Sequence, residues 1–224
     1  MQRNTIICGD ALEVMRGWPD GCVDAVITDP PFGIDFKYPE YDDDPERYEE
    51  FMLEVVPELS RLVGDGPVFV WQAMLNADKW HRWFPTGFRI FAACKGMAQF
   101  RPTAVQYSWD PVIFFGSPRT EPRVGRRDYH VQRKAPFGAH RPKIAHPCPR
   151  PLEQVAHVVA LVTQPGDLVL DPFMGSGTTA IAATKLGRDY VGIELNPDYI
   201  EIAERRLAEV TGIQLPLPVM AEAY

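Results

Sequence analysis

Two short stretches carry residue types at spacings that could do chemistry. The first, Thr28-Asp29-Pro30-Pro31-Phe32-Gly33, sets a carboxylate, two consecutive prolines and an aromatic ring directly behind the apolar run Val23 to Ile27. Proline fixes its own φ and holds the residue before it extended. The Asp29 carboxylate and the Pro30 carbonyl would therefore form a stiff pair of hydrogen-bond acceptors, with the Phe32 ring as a flat surface beside them. The second stretch, Leu168-Val-Leu-Asp171-Pro-Phe173-Met-Gly175-Ser176-Gly177-Thr178-Thr, reads as a strand, a glycine turn and a helix start in immediate succession. Glycine lets the backbone come close to a ligand, and the open N–H groups of a new helix favour negative or polar atoms. Gly175-x-Gly177-x-x-Ala180 satisfies the loose dinucleotide fingerprint. Glu194 closes the next apolar run near the offset of about 20 residues at which an acid takes ribose hydroxyls.

Positioning these groups requires an alternation of buried strands and amphipathic helices, the pattern of an α/β sheet. Strands are expected at Thr5 to Cys8, Val23 to Thr28, Pro67 to Trp71, around Phe88 to Ala93, within Tyr107 to Gly116, and at Leu168 to Asp171 and Asp189 to Glu194. Helices are expected from Asp10, as N-cap, to Met15; from the Asp44-Pro45-Glu46 cap toward Gly64, with a kink at Pro57; and around Asn76 to Phe84. Three more follow Pro151, Gly175 and the Asn196-Pro197 cap. Residues 212–224 give no usable signal. The expected organisation is a half carrying the first motif (1–116), a basic segment (117–145), a half carrying the glycine turn (146–211) and a tail (212–224).

The chain has 224 residues and a net charge of −7, a balance that on average disfavours a polyanionic partner. Residues 117–145 are the exception: eight Lys/Arg (Arg119, Arg123, Arg126, Arg127, Arg133, Lys134, Arg141, Lys143) stand against two acids, a local +6 that leaves −13 for the remainder. Tyr129, His130, Phe137 and His140 are interleaved with these charges, a composition suited to nucleic acid. The four cysteines form no Cys-x-x-Cys pair, which points to reduced, buried thiols and no zinc. No apolar run approaches the roughly 18–20 residues of a membrane span, and the N-terminus lacks a signal-peptide pattern, so a cytoplasmic protein is expected.

Together, Asp29-Pro30-Pro31-Phe32, Asp171-Pro-Phe-Met-Gly-Ser-Gly-Thr-Thr179 and His146-Pro-Cys-Pro-Arg150-Pro151 resemble the hallmarks of the S-adenosylmethionine-dependent DNA amino-methyltransferases. The order of the motifs is similar to the circularly permuted beta class. The resemblance covers roughly residues 4–210, apart from the basic middle. It implies a Rossmann-like class I methyltransferase sheet, mostly parallel with helices on both faces, carrying a small basic target-recognition insertion.

It also implies roles. Asp29 and the Pro30 carbonyl would accept hydrogen bonds from an exocyclic amine, whose lone pair is otherwise delocalised into the base, with Pro31 stiffening the pair. Phe32 would stack on the extruded base, at an extrusion cost of a few kcal/mol. Asp171, Phe173, Gly175, Ser176, Gly177 and Thr178 would line the cofactor, Glu194 the ribose, and Asp10 with Ala11 the adenine. His146 and Arg150 correspond to a segment near the cofactor's amino-acid end, where the family has lysine in place of Arg150. No metal is required. Double-stranded DNA is the implied partner, met by the basic segment, and the resemblance leaves room for a homodimer and for a companion restriction endonuclease. Relatives acting at cytosine N4 usually begin the tetrapeptide with serine, so Asp29 favours adenine N6. The competing readings are methylation of cytosine N4, of RNA or of a protein glutamine, a silent DNA-binding regulator, and a nicotinamide-dependent dehydrogenase.

Overall fold

The computed structural model describes residues 1–37, 41–99, 107–121, 127–132, 149–212 and 219–220. The strands are β1 (Thr5–Cys8), β2 (Ala25–Thr28), β3 (Val68–Trp71), β4 (Arg89–Gln99), β5 (Tyr107–Phe115), β6 (Tyr129–Val131), β7 (Leu168–Asp171), β8 (Asp189–Glu194) and β9 (Val219–Met220). The helices are α1 (Ala11–Arg16), α2 (Tyr48–Val63), α3 (Trp80–Trp83), α4 (Leu152–Val162), α5 (Thr178–Lys185) and α6 (Pro197–Thr211). All nine strands form one sheet in the order β6-β4-β5-β3-β2-β7-β8-β1-β9, in which β5 alone runs against the rest. The central strands β2, β3 and β7 are buried along their whole length, which explains why they read as unbroken apolar runs instead of alternating ones.

Each face of the sheet has its own core. On one face α1, α2 and α3 cover Val26, Val68, Val70 and Leu170; on the other α4, α5 and α6 cover Ile27, Phe69, Trp71 and Val169. Alternate residues of one strand therefore feed opposite cores, the two-residue period of a pleated strand. Helix α2 buries Tyr48, Met52, Val55, Val56, Leu59, Leu62 and Val63 at spacings of three and four, the stripe an amphipathic helix needs.

Two expectations are corrected. Helix α2 begins at Tyr48, because the Asp44 carboxylate accepts the Glu46 N–H at 2.8 Å and closes a turn before the helix instead of capping it. The segment around Asn76 to Phe84 is a 3-10 turn at Met74–Asn76 followed by the single turn α3. Its apolar residues Trp80, Trp83 and Phe84 are buried, so burial produced the apolar pattern without a long helix. Within the tail, β9 pairs with β1.

Candidate active site

Ligands of open α/β sheets bind beyond the carboxyl ends of the strands, and the candidate residues gather at that edge. Asp29 follows β2, Asp171 ends β7, Glu194 ends β8, and Asp10 follows β1. These four strands are consecutive neighbours in the sheet, so four carboxylates from distant parts of the sequence line up across roughly 14 Å at the usual strand spacing. The motifs also touch directly: the Thr28 hydroxyl donates to Asp171 Oδ1 at 2.7 Å in a buried contact, so the first motif is bonded to the second across 143 residues.

The loop after β2 is held from outside by side chains. Asn76 Nδ2 donates to the Phe32 carbonyl at 2.8 Å. Asp43 is buried and accepts the backbone N–H groups of Gly33, Ile34 and Phe36 at 2.6, 3.0 and 3.2 Å. Gly33 has φ +63°, and a Cβ there would lie 2.3 Å from Tyr48 Cγ, so only glycine lets the loop turn against α2. Asn76 and Asp43 carried no sequence signal, because their partners are backbone groups 44 and 10 residues away.

The glycine turn is likewise built from below. Gly177, at φ +80°, is the N-cap of α5, and a Cβ there would sit 2.8 Å from the Ala203 Cβ on α6. Arg206 on α6 donates to the Ser176 carbonyl and, at 2.8 Å, to its hydroxyl, which turns that side chain down into the fold. Thr178 is buried, and its Oγ1 lies 3.4 Å from Arg206 Nη1. Glu194 accepts the Gly175 N–H at 2.8 Å through one oxygen and the Asn196 N–H at 2.8 Å through the other. The Leu195 N–H also bonds this carboxylate, and with about four lone-pair sites on the group it can still accept from a hydroxyl. Burial raises the Glu194 carboxyl above its ordinary value. Burial likewise pushes Asp171 up to about 6, against hydrogen bonds from Thr179, Thr28 and the Phe173 N–H, while the charge of Asp29 adds to the rise. The Phe173 ring packs edge-on against Phe51 of α2. Asp10 caps α1 by accepting the Glu13 N–H at 3.0 Å, with Ala11 buried behind it.

Two basic residues of the expected site are paired with carboxylates. Arg150, expected at the cofactor, forks onto Asp29 through Nε to Oδ2 at 2.6 Å and Nη2 to Oδ1 at 2.8 Å, and reaches Asp110 Oδ2 with Nη1 at 2.8 Å. Arg119 pairs with Asp24 and Asp167, each at 3.1 Å, at the amino edge of β2 and β7 and therefore at the opposite end of the sheet from Asp29. Arg127 is exposed and lies against the Tyr129 ring. His146, Arg123, Arg126, Arg133, Lys134, Arg141 and Lys143 lie outside the described residues. Among the described residues, no cluster of His, Cys, Asp or Glu is arranged to hold a metal, and no helix is long and apolar enough to cross a membrane.

An edge of acids beside a glycine turn that opens a helix, with the two motifs bonded to each other, defines an enzyme of the class I methyltransferase type. The chain belongs to the N6/N4 family described as DNA methylase, whose pattern it matches over residues 23–205. It is similar to the type II methyltransferase M.BglII of Bacillus subtilis, 25% identical over 249 residues spanning 92% of this chain and 69% of the relative. Among solved structures it is similar to the Thermus thermophilus protein TTHA0409 complexed with S-adenosyl-L-methionine (26% identity, 99% of each chain, TM-score 0.70). The cytosine-N4-specific PvuII DNA methyltransferase shares the fold (20% identity, 91% of this chain and 86% of that one, TM-score 0.73). The chain is thus a DNA amino-methyltransferase that uses S-adenosylmethionine. The donor set fits that cofactor: acids at the ends of three adjacent strands, with Asp171 buried, Glu194 half-buried and Asp10 exposed, and a glycine turn can receive a ribose, an amino group and a carboxylate.

Proposed function

We propose that this chain methylates the exocyclic N6 amine of an adenine extruded from double-stranded DNA. One observation carries the reading: the Thr28–Asp171 bond sets Asp29 beside the glycine-turn strand, so an acceptor for the target amine stands next to the cofactor's amino-acid end. S-adenosylmethionine supplies a methyl group on a positive sulfonium, already a good electrophile. The protein's task is then orientation. Asp29 and the Pro30 carbonyl accept from the amine and restore its lone pair, and Phe32 gives the base a face to stack on, worth roughly 1–3 kcal/mol. Asp171 and Glu194 hold the cofactor's polar ends, while Gly175 and Gly177 admit it to the backbone. In the target-recognition segment 117–145, the described neighbours of Arg133 to Lys143 support a DNA contact there: β6 runs toward the site edge, and Arg150 stands on it.

The test is incubation with methyl-labelled S-adenosylmethionine and unmethylated genomic DNA, followed by nucleoside analysis. Label in N6-methyladenine is the expected result. Label in N4-methylcytosine would overturn the choice of base, and label only in RNA or protein would overturn the substrate class. Asp29→Ala should abolish transfer while cofactor affinity, read by titration, stays within about two-fold of wild type.

A further inference from the structure

The Arg150 guanidinium spends its donors on two carboxylates from two different elements. Its Nε and Nη2 meet the two oxygens of Asp29 side-on, and its Nη1 meets Asp110, near the start of β5, whose other oxygen accepts from Lys95 Nζ at 2.8 Å. The guanidinium carbon also lies 5.4 Å from the centre of the Phe32 ring and 5.9 Å from that of Trp71, the last residue of β3, within cation–π range. The four charges alternate along the site edge as Lys95, Asp110, Arg150, Asp29. We infer that Arg150 is a positioning residue for Asp29, itself held by Asp110, and that it is not a cofactor contact. The inference rests on the amine-methylation reading, in which Asp29 must present an acceptor to the incoming base.

The fork acts by fixing orientation. A carboxylate on a single-methylene stem rotates freely unless something fixes its plane, and a two-point guanidinium fork does so where a single ammonium cannot. Each Asp29 oxygen keeps a second lone pair after accepting from Arg150, so the amine can still donate to a carboxylate whose plane is already set. Lys95, Asp110, Arg150 and Asp29 together carry no net charge, so what the group supplies is orientation. Asp110 keeps the fork in place by accepting from Nη1.

The test compares wild type with Arg150→Gln, Arg150→Lys, Asp110→Asn and the double variant Asp110→Asn/Arg150→Gln. The readings are kcat and KM at saturating cofactor, cofactor affinity by titration, and thermal unfolding. Arg150→Gln should lower kcat about 100-fold, the scale expected for a misplaced reacting group, with cofactor affinity within about two-fold of wild type. Arg150→Lys should recover only a small part of kcat, and the double variant should be no slower than Arg150→Gln alone. A ten-fold loss of cofactor affinity in Arg150→Gln, with kcat restored at saturation, would overturn the inference. So would a kcat loss that multiplies independently in the double variant. Should wild type label no DNA, the methylation reading fails on its own. The titration still decides the assignment of Arg150, since unchanged cofactor affinity supports the clamp and a ten-fold loss refutes it.

Discussion

Asn76 donates its amide to the carbonyl of Phe32 at 2.8 Å, and through that one bond the 3-10 turn beyond β3 holds the loop beyond β2. The loop's geometry is thus set by a neighbouring strand connection as well as by its own prolines.

Asn76→Ala removes a buried donor and leaves the Phe32 carbonyl without it. A loss of about 1–3 kcal/mol in stability is expected, together with a fall in kcat and little change in cofactor affinity. Denaturant unfolding and single-turnover methyl transfer read the two effects separately; unchanged turnover would show that the prolines suffice to hold the loop.

Gly177→Asp forces a side chain onto a left-handed residue whose Cβ would press on Ala203. Both strain and overpacking oppose it, at about 1–3 kcal/mol each, and a carboxylate enters at the N-terminus of α5. Loss of cofactor binding together with a lowered melting temperature is the expected outcome, and isothermal titration plus a thermal melt would detect it.

Asp171 gives a pH prediction. With the carboxyl raised from 3.8 to about 6 by burial, the folded protein holds a proton more tightly than the unfolded chain. Stability therefore falls as pH rises through the window from about 4 to 6. The ionised side chain costs about 2–3 kcal/mol at neutral pH. Asp171→Asn should accordingly melt at a higher temperature than wild type at pH 7.5, with the advantage gone at pH 4, and should bind cofactor more weakly. A melting difference that does not vary with pH would refute the assignment.

Arg119 and the later basic residues should separate in DNA binding. Arg119→Ala breaks contacts to Asp24 and Asp167 at the far end of the sheet; it should cost about 1 kcal/mol or less and leave the salt dependence of DNA affinity unchanged. Replacing Lys134 and Arg141 together should weaken binding and reduce the salt slope by about 2. Equal slopes for both variants would move the DNA surface elsewhere.

The elements with strong local signals were legible. Asn196 accepts the Asp198 N–H at 2.8 Å with Pro197 beginning α6, and Leu168 to Asp171 is buried from end to end, as their sequences imply. The segment around Asn76 reads as a longer helix because buried tryptophans mimic an amphipathic stripe, and β9 leaves no signal because a two-residue pairing has no periodicity. At the site, the residue types of both motifs stood out because prolines and glycines constrain the backbone locally. Asp43, Asn76, Asp110 and Arg206 did not, since what each does depends on a partner that only the folded topology brings near. Arg150 was visible as a charged residue in a recognisable segment, but its partner Asp29 lies 121 residues away.

The neighbour relation of β2 and β7 also sets a timetable for folding. Strand β2 lies in the middle of the sheet, yet one flank is filled by a strand about 140 residues later in the chain. During synthesis its edge stays open until β7 has emerged, and such distant pairings form slowly and invite intermolecular pairing meanwhile. The tetrapeptide after β2 is therefore made well before the strand that completes its setting.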